Sequence, residues 1–202
     1  MTPRKGLLIV FEGTDGTGKS TQLKLLAESL DAKGIDVISS FEPTNGTYGQ
    51  KIRALYSNRE AGSREDELEL FLADRKEHVE SPIAPALAAG KVVLLDRYYL
   101  STIAYQGAAG LDPAEILAKN TFAPEPDLAL LFHAPIETGV SRITESRGDT
   151  LNDFEKEDYL LKVKKQFEKL DLPCIRRVDA NRSIEAIHQD VLHLVSTLPG
   201  ME

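Results

Sequence analysis

Apolar residues along this chain fall into short, nearly continuous runs, separated by longer stretches where they recur every three or four positions. Five such runs, 7–12, 36–41, 92–96, 128–133 and 174–179, predict β-strands. Between them, 19–33, 65–89, 113–122, 136–147, 154–170 and 184–198 read as helices. Within 22–30, for example, Leu23, Leu26, Ala27 and Leu30 share one helical face while Lys24 and Glu28 lie outside it, and Gly34 is placed to end the helix. Pro82 and Pro85 predict a break or bend in the long third helical stretch. Strands this continuously apolar, separated by helices, belong to a parallel sheet covered on both faces. No internal repeat, low-complexity segment or linker interrupts the pattern, so residues 1–202 are expected to form a single α/β domain.

Composition narrows the classes of partner. A net charge of −8 excludes the broad basic surface that a nucleic-acid polymer requires, but not a local arginine cluster for a small anion. Cys174 is the only cysteine, so no intrachain disulfide can form, which suits a reducing compartment. No stretch approaches the ~18 apolar residues of a membrane span. The five strongly apolar residues after the basic N-terminus are too few for a secretory signal. The expectation is a cytoplasmic protein without membrane or nucleic-acid partners.

The candidate chemistry begins where the first strand ends. Gly13-Thr14-Asp15-Gly16-Thr17-Gly18-Lys19-Ser20 is a complete G-x-x-x-x-G-K-[ST] motif lying between a strand and a helix. Glycines let successive N–H groups converge on a phosphate, and the helix N-terminus adds partial positive charge. Lys19 can reach the β- and γ-phosphates, and the Ser20 hydroxyl can ligate Mg²⁺. Ligands of parallel sheets gather at the carboxyl ends of the strands. The second strand delivers Glu42-Pro43 there, and the third delivers Asp96-Arg97-Tyr98. Asp96 has the place of a Walker-B acid serving Mg²⁺; Arg97 can pair with Asp96 or turn its donor fork toward phosphate. Phe71 and Arg75, four residues apart on one helix, combine an aromatic plane with edge donors, as a nucleobase requires. Alone, Phe71 fits a core position beside Leu68 and Leu72 equally well, and Ser101, Tyr105 and Gln106 form an ordinary polar helix face. The four histidines, His78, His133, His188 and His193, have no metal-ligand spacing.

Taken together, Phe11-Glu12-Gly13 through Lys19-Ser20-Thr21, Glu42-Pro43, Phe71 with Asp74-Arg75, and Asp96-Arg97-Tyr98 with Ser101 and Ala104-Tyr105-Gln106-Gly107 resemble the thymidylate kinases over nearly the whole chain. The most specific segment is 96–107. The resemblance implies a P-loop kinase architecture with a five-stranded parallel sheet and a lid at about 141–153. It implies ATP and Mg²⁺, dTMP as acceptor, and a homodimer. Residues 13–21 and Arg142 would hold ATP, and Ser20 and Asp96 would serve the metal. Phe71 would stack on thymine and Arg75 donate to its O4, while Gln106, with Ser101 or Thr102, would face the N3 edge. Tyr105 would lie under the sugar and Asp15 accept from its 3′-hydroxyl. Arg53 and Arg97 would hold the acceptor phosphate, with Glu42 beside them.

The chain departs from the family pattern at Phe41, where Arg commonly precedes Glu-Pro, and at Leu151, where a lid Arg is usual. Some thymidylate kinases that it resembles carry Arg at the position of Gly16; with no charge there, Arg147 or Arg142 must supply it, and Arg147, before Gly148, is the preferred candidate. Lys19, Arg97 and Arg147 are thus the expected catalytic cations. Two other functions fit the phosphate loop. A deoxynucleoside kinase would use Glu42 as the base for a 5′-hydroxyl, and a nucleotide switch would carry an [NT]-K-x-D guanine motif, which is absent.

Overall fold

Side-chain alternation along one strand sets the layering. In β1 (Leu7–Gly13) every residue is buried. Leu8 and Val10 point into one apolar cluster, and Leu7, Ile9 and Phe11 into another on the opposite face. The structure, a computed structural model, describes residues 6–57, 63–147 and 157–201, with residues 57, 146 and 147 described by their backbone alone.

β1 sits between β3 (Val92–Asp96) and β4 (Leu128–His133), and β2 (Val37–Phe41) and β5 (Ile175–Asp179) complete the sheet in the order β2-β3-β1-β4-β5. Every pairing is parallel, and this is the five-stranded sheet expected. Register carries the functional consequence. Phe11 and Phe41 both lie beside Asp96, so Glu12, Glu42 and Arg97 emerge together from one edge.

Helices cover both faces. On one, Leu23, Leu26 and Leu30 of α1 (Lys19–Asp31) pack with Ile187, Val191 and Val195 of α9 (Ile184–Ser196). On the other are α3 (Arg64–His78), α5 (Tyr99–Ala108), α6 (Pro113–Lys119) and α8 (Glu157–Lys169), contributing Leu68, Leu100, Ile116 and Phe167 among others. α7 (Ile136–Arg147) follows β4.

Helix ends follow local chemistry. Gly34 takes φ 72°, and the Ile35 N–H turns back to the Leu30 carbonyl at 3.1 Å, closing α1 slightly earlier than the periodicity implied. Ser63, Asp112 and Ser183 cap α3, α6 and α9 by accepting from the backbone N–H of Asp66, Ala114 and Ala186.

The stretch expected at 65–89 is broken where its prolines predicted. α3 gives way to a wide turn, Val79–Ile83, with Ser81 extended (φ −159°, ψ 110°), and then to the short α4 (Ala84–Ala88). Pro82 has no N–H to continue the ladder. α2 (Thr47–Ala54) had no place among the expected segments, and α5, foreshadowed only by the helix face read at Ser101, Tyr105 and Gln106, had no expected range. In α5 nine consecutive residues, Tyr99 to Gly107, are buried, which leaves no amphipathic stripe to recognise. Of the expected lid, residues 141–147 form the end of α7, whereas 148–153, including Leu151, lie outside the described residues. Among the described residues no helix is long and apolar enough to cross a membrane.

Candidate active site

The phosphate loop leaves β1 through glycines that nothing else can replace. At Gly13 (φ 132°) a Cβ would lie 2.3 Å from the Phe132 carbonyl oxygen. At Gly16 (φ 74°) it would lie 2.1 Å from the Gly139 carbonyl oxygen on α7. Position 16 is therefore closed to any side chain, an arginine included. One turn beyond Gly139, Arg142 reaches back over the loop, donating from Nη1 to Ala180 O (3.1 Å) and toward Gly16 O (3.5 Å).

Lys19, at the start of α1, is buried and donates from Nζ to Thr14 O at 2.8 Å, an acceptor it shares with the Thr17 hydroxyl. Burial, and then the Arg97 charge, pull its pKa down to about 8 against the opposing pull of Asp96, Asp15 and Glu12. An ammonium has three donors, so two N–H directions remain for phosphate oxygens. Ser20 donates its hydroxyl to Oδ2 of Asp96 across 76 positions of sequence, joining the two residues expected to serve a metal.

Arg97 is the one non-glycine among the described residues with positive φ (72°), a strained conformation of the kind that accumulates at functional sites. Its N–H is tied to Phe11 O at 2.9 Å. The guanidinium donates from Nη1 to Gly13 O (3.1 Å) and Ser101 Oγ (2.9 Å), and from Nη2 to Asp15 Oδ1 (2.8 Å) and the Tyr105 hydroxyl (3.2 Å). Its ion pair is thus with Asp15, not with its neighbour Asp96. Tyr105 closes the triangle by donating to Asp15 Oδ2 at 2.7 Å, with its ring 5.0 Å from the Arg97 guanidinium carbon. Burial alone would raise the Asp15 pKa; Arg97, Lys19 and the Tyr105 hydroxyl outweigh it and hold the carboxyl down at about 2.

The other end of the crevice is organised around Arg75. It is 1% exposed and donates from Nε and Nη2 to Glu42 Oε2 (2.9 and 2.7 Å). It also donates from Nη1 to Asn120 Oδ1 (2.6 Å) and from Nη2 to Thr102 Oγ1 (2.9 Å), with Tyr98's ring 5.3 Å from its carbon. Four of the five guanidinium N–H groups are accounted for, and one Nη1 hydrogen is left for a ligand. Glu42 Oε1 meets His78 Nδ1 at 3.0 Å, and His78 Nε2 meets Ser40 Oγ at 2.8 Å. Phe71 is half-buried in the same wall, and Thr102 and Gln106 face it from α5. The crevice of about 810 Å³ joins both ends, from Lys19, Ser20 and Arg142 to Phe71, Arg75 and Gln106.

Arg53 is placed differently from the expectation. From α2 its guanidinium holds the turn after β2, donating to Pro43 O at 2.9 Å and to Asn45 Oδ1 at 3.2 Å, and it does not line the crevice. Asp74 fixes the same turn by accepting from the Thr44 N–H and hydroxyl at 2.8 and 2.7 Å. The side chain of Arg147 lies outside the described residues.

Glu12, His78, Asn120 and Glu67 are parts of the site that sequence reasoning missed. His78 follows Arg75 by one helical turn, and that spacing was the available signal. Glu12 is fully buried and accepts from the Tyr98 N–H (3.0 Å) and the Ser101 hydroxyl. Burial pushes its pKa up to about 7, against the Ser101 hydroxyl and the Arg97 charge, which pull it down.

Two outcomes follow from these buried groups. Arg75→Ala leaves Glu42 with an uncompensated buried charge and should cost about 3–5 kcal/mol in denaturant unfolding; a loss below ~1 kcal/mol would mean that the pair is not an anchor. For Glu12 the folded pKa of about 7 lies above the ordinary 4.5. Its contribution is therefore fully present below pH ~4.5 and lost as pH rises through ~7, on the order of 3 kcal/mol. Glu12→Gln should flatten that part of the stability–pH curve, and an unchanged slope would place the titration elsewhere.

Comparison with known proteins supports the same assignment. The thymidylate kinase family model matches residues 11–191. The thymidylate kinase of Desulfotalea psychrophila is 59% identical over 201 residues, covering 100% of both chains. That of Xanthomonas euvesicatoria pv. vesicatoria is 48% identical over 182 residues, 90% of this chain and 80% of the relative. The phosphate loop, the arginine-lined crevice and these likenesses together place the chain in the thymidylate kinase family.

Proposed function

We propose the following division of labour for the family's reaction, transfer of the γ-phosphoryl group of ATP to dTMP to give dTDP and ADP. The observation that carries it is one crevice with the phosphate loop at one end and Phe71, Arg75 and Gln106 at the other. ATP lies with its phosphates on residues 13–21, under Lys19, and with Arg142 above the loop. dTMP lies with its base against Phe71 and its O4 on the free Nη1 hydrogen of Arg75. Its sugar rests on Tyr105 near Asp15, and its phosphate on Arg97. Arg53 joins that phosphate by exchanging the acceptors of the 43–45 turn for phosphate oxygens.

The chemistry needs no general base. The second pKa of a phosphate monoester is near 6, so the acceptor oxygen is already anionic at neutral pH. What remains is in-line positioning and cation density over the transferred group. Arg97, pinned by Asp15, Gly13 and Ser101, is oriented before substrate arrives. Glu42 is the residue that a nucleoside kinase would use as base; here Arg75 and His78 occupy both its oxygens, which disfavours that alternative.

Ser20 and Asp96 fit Mg²⁺ better than a metal needing an all-protein cage. They offer one hydroxyl and one carboxylate at the loop, and among the described residues no group of three or more His, Cys, Asp or Glu side chains could hold an ion. Mg²⁺ commonly takes one or two such ligands and completes its shell with phosphates and water. Bound there, it would neutralise charge on the β- and γ-phosphates. The family resemblance also implies a homodimer, which sedimentation velocity reads directly.

An ADP-release assay across nucleosides and monophosphates tests the function. Turnover is expected with dTMP and not with thymidine, and it should vanish in folded Lys19→Ala; the reverse substrate preference would overturn the reading. Because Gly16 contributes no charge, Arg147 or Arg142 of α7 adds its charge to that of Lys19 and Arg97 over the transferred group. Arg147→Ala should slow the chemical step at least tenfold, ~1.4 kcal/mol, with dTMP affinity nearly unchanged. Arg142→Ala should weaken ATP binding. Rapid-quench single turnovers decide this, and the assignment fails if neither variant slows the step.

A further inference from the structure

Gln106 is fully buried on α5 and lines the base end of the crevice. Its Nε2 donates to Glu67 Oε1 on α3 at 2.7 Å, and its Oε1 has no hydrogen-bond partner. Glu67 is itself buried. A glutamine amide can turn over, exchanging its donor and acceptor ends, and nothing in its own shape selects one orientation. A carboxylate selects. It has only acceptors, so the NH₂ end must face Glu67 and the carbonyl is left toward the crevice.

We propose that Glu67 is a specificity-determining residue that never touches substrate: by locking the Gln106 amide, it commits the pocket to bases with an N–H donor beside a carbonyl acceptor. This rests on the reading of the crevice as a dTMP site. Thymine offers N3–H to Gln106 Oε1 and O4 to the remaining Nη1 hydrogen of Arg75. Cytosine offers the inverse at both points, a bare N3 and an amino group. Arg75 is held by Glu42, Asn120 and Thr102 and cannot invert. An unlocked Gln106 could, by presenting Nε2 to cytosine N3. The lock removes that escape. A site built from fixed polar groups rejects the inverted partner far more strongly than an adaptable one, because its groups are left unpaired.

The test compares kcat/KM for dTMP and dCMP in the wild-type chain, Glu67→Gln and Glu67→Asp. Glu67→Gln frees the amide, so the dTMP:dCMP ratio should fall by about tenfold or more, with an absolute gain for dCMP carried mainly in KM. Glu67→Asp keeps an acceptor-only partner and should preserve the preference. An unchanged ratio in Glu67→Gln, with both substrates impaired alike, overturns the proposal, since a purely packing role would do this. A wild-type chain that does not turn over dTMP overturns the dTMP reading itself. If Glu67→Gln does not fold, the wild-type protein serves, labelled with ¹⁵N in its glutamine side chains. The Gln106 NH₂ should be protected from solvent exchange both free and with dTMP bound, and loss of protection on binding dTMP would mean that the amide turns over.

Discussion

β1 is buried on both faces and paired along both edges, so whatever polar chemistry the chain places there has to leave at its carboxyl end. That constraint orders the rest. The apolar side chains of β1 alternate between two cores, each covered by helices, and the parallel register brings Glu12, Glu42 and Arg97 out at the same level. The phosphate loop is the continuation of this strand, and the crevice is the space above its end.

The site is cationic inside an acidic protein, and it is so by pairing. Two buried cations, Lys19 and Arg75, and the half-buried Arg97 would each be costly alone. Asp15 and Glu42 compensate the two arginines and also aim them, leaving defined N–H directions free. Lys19 is held by a backbone carbonyl, and burial, then the Arg97 charge, depress its pKa in spite of Asp96, Asp15 and Glu12. A bound phosphate would restore that balance. This pairing among the side chains of the crevice lowers the reorganisation needed when substrates arrive.

Much of this was legible in the sequence, for physical reasons that can be named. Continuous apolar runs are what a strand buried on both faces looks like, and the G-x-x-x-x-G-K-S spacing is fixed by backbone geometry. α5 could not be bounded because it is buried all round, and α2 was illegible because only Gly49 and Ile52 of its eight residues are buried. Partner choice was the deeper limit. Arg97 stands next to Asp96 in sequence but pairs with Asp15, 82 positions away. Arg53 braces the turn after β2 from ten positions along the chain, and Glu67 and Asn120 acquire meaning only through contacts that spacing does not reveal.

The contact between Gly16 and Gly139 has a consequence for how this chain can vary. A β-carbon at Gly16 would lie 2.1 Å from the Gly139 oxygen, and one at Gly139 would lie 2.8 Å from the oxygen of Asp15, the residue before Gly16. The two positions are therefore a coupled pair, 123 residues apart, and neither can be altered by a single neutral step. A chain with a charged side chain at position 16 would need the start of α7 to stand further from the loop. Moving between the two solutions requires the loop and the helix to change together, so the site of the extra positive charge is a property of their packing rather than of either residue.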